Sequence, residues 1–177
     1  MKPAKIERLI SSDSIAVQVS NMANRIAKSM PNDVMIVVLL RGSFMFAADL
    51  VRALHAVGMH PQIDFLTVAS YGADTQSSGK VEVVRDLTES MKGRDVLIID
   101  DILDSGRTLQ FVTGLIRERG AKSVKSVVLL EKPGKRAVQI NADFVGFTVP
   151  DKFVVGYGLD HANFYRELPY IGALITN

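Results

Sequence analysis

Between Val96 and Thr108 the chain reads Val-Leu-Ile-Ile-Asp-Asp-Ile-Leu-Asp-Ser-Gly-Arg-Thr, an apolar run that ends in two acids and a short polar turn. A continuous apolar segment suits a strand buried on both faces, and Leu109, Val112, Leu115 and Ile116 recur beyond it at helical spacing. The order is therefore strand, loop, helix. Such a loop brings the free N–H groups of a helix N-terminus beside the Ser105 and Thr108 hydroxyls, where an anion such as phosphate can be held. Gly106 allows close approach of the backbone. Asp100, Asp101 and Asp104 offer oxygen to sugar hydroxyls, a hard cation or a proton in transit; the plainer reading is that acids and serines here only cap a helix or face water.

The remaining segments repeat this pattern. Ser11, Ser12 and Asp13 can cap a helix with Ile15, Val19, Met22, Ala23, Ile26 and Met30 on its apolar face, stopped by Pro31. Val34 to Leu40 is an apolar strand ending at Arg41-Gly42-Ser43, and Phe46, Leu50, Leu54 and Val57 mark the helix after it, with Gly58 beyond its end. Ile63 to Ala69 and Lys80 to Asp86 read as strands around a polar, turn-rich loop, Ser70 to Gly79. Its length suggests a lid rather than a tight hairpin. Gly120 closes the helix after Thr108, Ser123 to Leu130 is a buried strand ending at Glu131-Lys132-Pro133-Gly134, and short strands are expected over Phe144 to Val149 and Phe153 to Tyr157.

Apolar strands followed by polar loops, with helices between, imply right-handed crossovers and an α/β fold with a mostly parallel sheet flanked by helices. Ligands in such sheets sit outside the carboxyl ends of the strands, which draws Arg41-Gly42, Asp100 to Thr108 and Lys132 to one edge. Two look-alike motifs fail. Gly79-Lys80 lacks the Walker spacing and is followed by Val81, and Gly156-Tyr157-Gly158 has His161 at the third glycine position of a dinucleotide fingerprint.

The 177 residues fit one domain, 1–177, with a sizeable core: a chain of this length buries roughly 70% of its unfolded surface. The absence of cysteine excludes disulfides, thiolate metal sites and a cysteine nucleophile. A net charge of +2 gives no ground for a nucleic-acid partner. No apolar run nears the ~20 residues of a membrane helix, and the N-terminal residues lack a secretory apolar region, so no membrane partner and a cytoplasmic location are expected.

Leu40-Arg41-Gly42, the Asp100 to Thr108 stretch, Lys132, Asp151-Lys152-Phe153-Val154-Val155-Gly156-Tyr157-Gly158-Leu159-Asp160 and Phe164-Tyr165-Arg166-Glu167-Leu168 together closely resemble the purine phosphoribosyltransferases of the hypoxanthine-guanine type. The resemblance runs over nearly the whole chain in the same order. The paired acids followed by Asp-Ser-Gly-x-Thr mark type I phosphoribosyltransferases, and the Lys-Phe-Val-Val-Gly-Tyr run narrows this to the 6-oxopurine branch. The resemblance implies the type I fold with a small hood and a flexible active-site loop, and transfer of the phosphoribosyl group from phosphoribosyl pyrophosphate to hypoxanthine and guanine. IMP or GMP and pyrophosphate would be released, with Mg2+ required, by a homodimer or homotetramer.

By resemblance, Asp100, Asp101, Asp104, Ser105, Gly106, Arg107 and Thr108 bind phosphoribosyl pyrophosphate, Arg41, Gly42 and Arg166 its pyrophosphate, and Asp104 is the catalytic base. Lys132, Phe153, Val154 and Asp160 are implied for the purine; Asp100, Asp101 and Asp160 for the metal; Ser70 and Tyr71 for the lid. Family members often have a non-proline cis peptide where Leu40-Arg41 falls; this chain has Arg41 where Lys is frequent and Asp100 where many relatives have Glu. Adjacent acids on a regular strand point to opposite faces, so both can reach one sugar only where the strand is ending. The competing reading is a regulator on the same fold that senses nucleotide and binds RNA or protein. Asp104, Lys132 and Asp160 occurring together oppose it, and Lys132 with the Phe153 run opposes a pyrimidine or adenine transferase.

Overall fold

The computed structural model describes residues 5–70 and 81–175. A six-stranded sheet is built from β2 (Met35–Leu40), β3 (Gln62–Ser70), β4 (Val81–Arg85), β5 (Asp95–Leu103), β6 (Ser123–Glu131) and β7 (Phe144–Thr148), in the order β4-β3-β2-β5-β6-β7. All neighbours run parallel except β3 and β4. A second sheet pairs β1 (Lys5–Ile10) with β9 (Ile171–Ile175) and β9 with the two-residue β8 (Val154–Val155), all antiparallel.

The helices are α1 (Ser12–Ala27), α2 (Phe44–Ala56) and α3 (Arg107–Glu118). Alternate residues of the central strands explain why their sequences are apolar throughout. Leu97 and Ile99 of β5 join Ile36 and Val38 of β2 in one core with Met22 of α1 and Phe46 of α2; Val96 and Ile98 join Val37 in another with Leu109 and Val112 of α3. Each face of the sheet is thus covered by helix. The expected cap holds, with the Ser14 N–H donating to Ser11 Oγ at 3.2 Å, although α1 ends at Ala27 and Met30 is buried beyond it.

Two sequence expectations change. The strand expected over Phe153 to Tyr157 is only Val154–Val155, and β1 and β9, unmarked by periodicity, supply the sheet on which it rests. The strand expected to end at Ile99 continues through the acids to Leu103. What stops at Ile99 is its pairing with β2; pairing with β6 goes on to Leu103 opposite Glu131. Asp100 to Leu103 is therefore unpaired on the β2 side, so the acids are reached from there without the strand ending.

Candidate active site

Past the end of β2 lies a cavity of about 290 Å³, bounded by Leu40, Arg41 and Gly42 on one side and by Asp100, Asp101 and the turn from Asp104 to Gly106 on the other, with Thr108. The Leu40-Arg41 peptide is cis. Gly42 lies so close to β5 that a Cβ on it would stand 1.6 Å from Asp101 Oδ2, which explains why this position carries no side chain. Asp100 and Asp101 each curl onto the next amide: the Asp101 N–H donates to Asp100 Oδ1 at 3.0 Å and the Ile102 N–H to Asp101 Oδ1 at 2.9 Å.

Burial, then the neighbouring Asp101 carboxylate, pushes Asp100 well above the usual carboxylate range. Burial also raises Asp101, offset in part by its hydrogen bonds and by the charge of Arg166. A buried acid beside a half-buried one makes a site that favours a cation, a proton or hydroxyl donors.

A second cavity, of about 420 Å³, is walled by Lys132, Phe153, Val154, Leu159 and Asp160, and also by Asp101, Ile102 and Asp104. The two chambers thus meet along β5. Lys132 is only 7% exposed, not a solvated residue after a strand, and its Nζ stands 3.8 Å from Asp104 Oδ2. Asp104 Oδ1 is buried and has no hydrogen-bond partner among the described residues. Nor does Asp104 cap α3, because the cap position is Gly106 at φ +83°. Phe153 is 55% exposed at the rim, not packed in the core, while Val154 is buried in β8.

Not every expected residue faces a chamber. Arg107 is exposed and lines neither, its N–H reaching Ser105 Oγ at 3.4 Å. Arg166 lies in an irregular segment, where it donates to the Gly158 carbonyl at 2.6 Å and pairs with Asp160 Oδ1 at 2.8 Å. Asp160 Oδ2 accepts from the Asn163 N–H at 2.7 Å, so this carboxylate already has partners. Ser70 ends β3 opposite Val81, and Tyr71 lies outside the described residues.

Two features escaped the sequence. Tyr157, at φ +49°, donates its hydroxyl to Asp49 of α2, and burial, then that carboxylate, raises its pKa. A Cβ on Gly158 would lie 2.1 Å from the Gly42 carbonyl oxygen, so the loops bounding the two chambers touch through backbone. The glycines were visible as residues, but nothing local announces that they meet.

The profile of the phosphoribosyl transferase domain matches residues 10–162. The chain is 47% identical over 167 residues to the bifunctional protein TilS/HprT of Listeria monocytogenes serotype 4b, covering 94% of this chain but spanning about a quarter (25%) of that protein. It is 47% identical to the hypoxanthine-guanine phosphoribosyltransferase of Bacillus subtilis, with 94% of this chain and 91% of the relative covered. The crystal structure of a hypoxanthine-guanine phosphoribosyltransferase from Bacillus anthracis superposes with a TM-score of 0.90 at 37% identity, covering 98% of this chain and 100% of that one. A domain match over most of the length, relatives of this similarity and a shared fold place the chain in one family: it belongs to the phosphoribosyltransferases and has their type I fold.

Proposed function

We propose that the protein is a purine-salvage transferase that joins hypoxanthine, and also guanine, to the ribose of phosphoribosyl pyrophosphate, forming IMP or GMP and releasing pyrophosphate. The observation that carries this reading is the wall of Asp101, Ile102 and Asp104 common to both chambers, since a transfer reaction needs two substrates held against each other. The chain is read as one domain, core plus hood, acting as a homodimer or homotetramer.

The donor occupies the first chamber. Ser105, Gly106, Thr108 and the Arg107 backbone take the 5′-phosphate; Arg41 and Gly42 take the pyrophosphate, with Arg166 supplying charge from behind Asp101. The base enters the second chamber, stacked on Phe153, its edge against the Val154 main chain and its 6-oxo oxygen on the Lys132 ammonium. Adenine offers an amino group there, a donor facing a donor, and is rejected. Asp104 takes the proton of the five-membered-ring nitrogen as it attacks, and its unpartnered oxygen suits that task. Ser70 and Tyr71 begin the lid that excludes water.

Among the described residues no group of three or more acids, histidines or cysteines forms a ready cage for a metal ion. Mg2+ usually keeps waters and takes one or two carboxylates plus substrate oxygens, and the raised Asp100–Asp101 pair fits such a partner. Asp100 and Asp101 would hold one ion, and Asp160, released from Arg166, a second. Bound there, Mg2+ supplies positive charge to the ribose hydroxyls and the departing pyrophosphate.

The test is direct: protein, magnesium and phosphoribosyl pyrophosphate incubated with hypoxanthine, guanine or adenine, and nucleotide product measured. IMP and GMP should form and AMP should not. AMP at a rate equal to IMP would remove Lys132 from its assigned place, and no product with any base would overturn the reading.

A further inference from the structure

The turn after β5 is held from behind by a residue that lines neither chamber. Arg136, with an 18% exposed side chain, donates through Nη1 to the carbonyl oxygens of Leu103 at 2.7 Å, Asp104 at 2.8 Å and Lys132 at 3.2 Å. Its Nη2 reaches Glu131 Oε2 at 3.1 Å, and Glu131 Oε1 accepts from Thr148 Oγ1 at 3.2 Å, so the guanidinium is itself anchored. The Lys132 N–H also donates to the Leu103 carbonyl at 3.0 Å, and the Ala137 N–H to the Ser105 carbonyl at 2.9 Å.

The carbonyls of Leu103, Asp104 and Ser105 are therefore all drawn toward residues 132–137. A continuing strand would have alternated them. In a trans peptide the C=O of one residue and the N–H of the next point in opposite directions. The N–H groups of Asp104, Ser105 and Gly106 are accordingly turned away from residues 132–137 and toward the first chamber, which those three residues line and residues 132–137 do not. Gly106, in the left-handed region, continues the run into α3, and successive N–H groups in such a turn make a concavity for an anion.

We infer that Arg136 is a positioning residue: with the Ala137 N–H, it fixes the direction of the Leu103, Asp104 and Ser105 carbonyls so that the following N–H groups face the 5′-phosphate of the donor. The inference rests on the donor-site reading above. A charge alone does not do this work. The planar guanidinium bonds several carbonyls and a carboxylate together, which a lysine ammonium on its flexible stem does not reproduce.

The experiment compares wild type with Arg136→Lys and with Ala137→Pro, which removes the donor to Ser105 and leaves the guanidinium in place, by titration calorimetry using ribose 5-phosphate and magnesium pyrophosphate as separate probes. Arg136→Lys should weaken ribose 5-phosphate by about tenfold or more, the size of a few lost charge-assisted bonds. Pyrophosphate affinity should change by less than about twofold, since its chamber wall is Arg41-Gly42. Ala137→Pro should move the same probe in the same direction by less. In turnover, KM for the donor should rise while KM for hypoxanthine stays near its wild-type value. Unchanged ribose 5-phosphate affinity in both variants, or equal weakening of both probes, overturns the inference; if Arg136→Lys does not fold, Ala137→Pro decides by the same readings. Wild-type protein that binds neither probe sinks the donor-site reading instead.

Discussion

Asp64 has the bonds a buried carboxylate needs, whereas Asp104, with a 42% exposed side chain, keeps one oxygen buried and unpartnered. Asp64, 7% exposed in β3, accepts from the N–H groups of Phe65 at 2.8 Å, Thr88 at 2.7 Å and Glu89 at 2.9 Å. Burial pushes its carboxyl up, but those bonds and the Thr88 hydroxyl outweigh it and hold the pKa below the usual carboxylate range. Asp64→Asn should cost about 1.5–3 kcal/mol at neutral pH. Because the folded value lies below the unfolded one, the contribution is present above about pH 4 and fades as pH falls through the folded pKa. Urea melts of both proteins across that range test this, and a difference that persists undiminished in acid would refute it. Asp104→Asn should do the reverse: with Oδ1 unpartnered and no helix cap to lose, its stability cost is confined to the 3.8 Å pairing with Lys132, while kcat falls by about 10²–10⁴. Steady-state kinetics beside a thermal melt would separate the two, and retained turnover would remove Asp104 as the base.

At the scale of elements, legibility followed the direction of the information. Apolar runs such as Val96 to Ile99 and the stripe Ile15, Val19, Met22 and Ile26 are written locally, so β5 and α1 could be read from spacing. The strands β1 and β9 could not: Lys5–Ile10 mixes charged and apolar residues without clean alternation, and each strand becomes one only by meeting the other. Of the candidate site, Asp100 to Thr108 was legible as strand, turn and helix, and its roles came from resemblance. Arg136 was not legible, because its partners are carbonyl oxygens, which every residue has. Asp64 left a faint mark as one acid inside an apolar run.

The contact of Gly158 with Gly42 was equally silent, and it predicts a coupled defect. Gly158→Ala places a Cβ 2.1 Å from the Gly42 oxygen at φ +101°, where side chains are strained. It should cost about 1–3 kcal/mol of stability and raise KM for donor and base together, since each loop bounds a different chamber. A rise confined to one substrate would show that the loops move independently.

For the molecule as a whole, Lys5 lies opposite Ile175, and Val154 of the second chamber is held by Ala173. The core sheet instead joins β2, β5 and β6 through shorter crossovers. Closing a longer chain segment costs more entropy, and pairings distant in sequence form late. Amides of Arg8, Ala173 and Val155 should therefore exchange with solvent through partial openings that leave Val37, Ile98 and Val128 protected. Equal protection across both sheets, measured by native-state hydrogen exchange, would contradict this.

Synthesis from the N-terminus adds a temporal order to the same geometry. The residues of the turn after β5 emerge and can pack with their neighbouring strands while β9 is still being made. The wall carrying Val154 must wait for β9 to be made and to pair with β1, made well before it. On the proposed function, a nascent chain would therefore form the turn assigned to the sugar phosphate before the chamber assigned to the base.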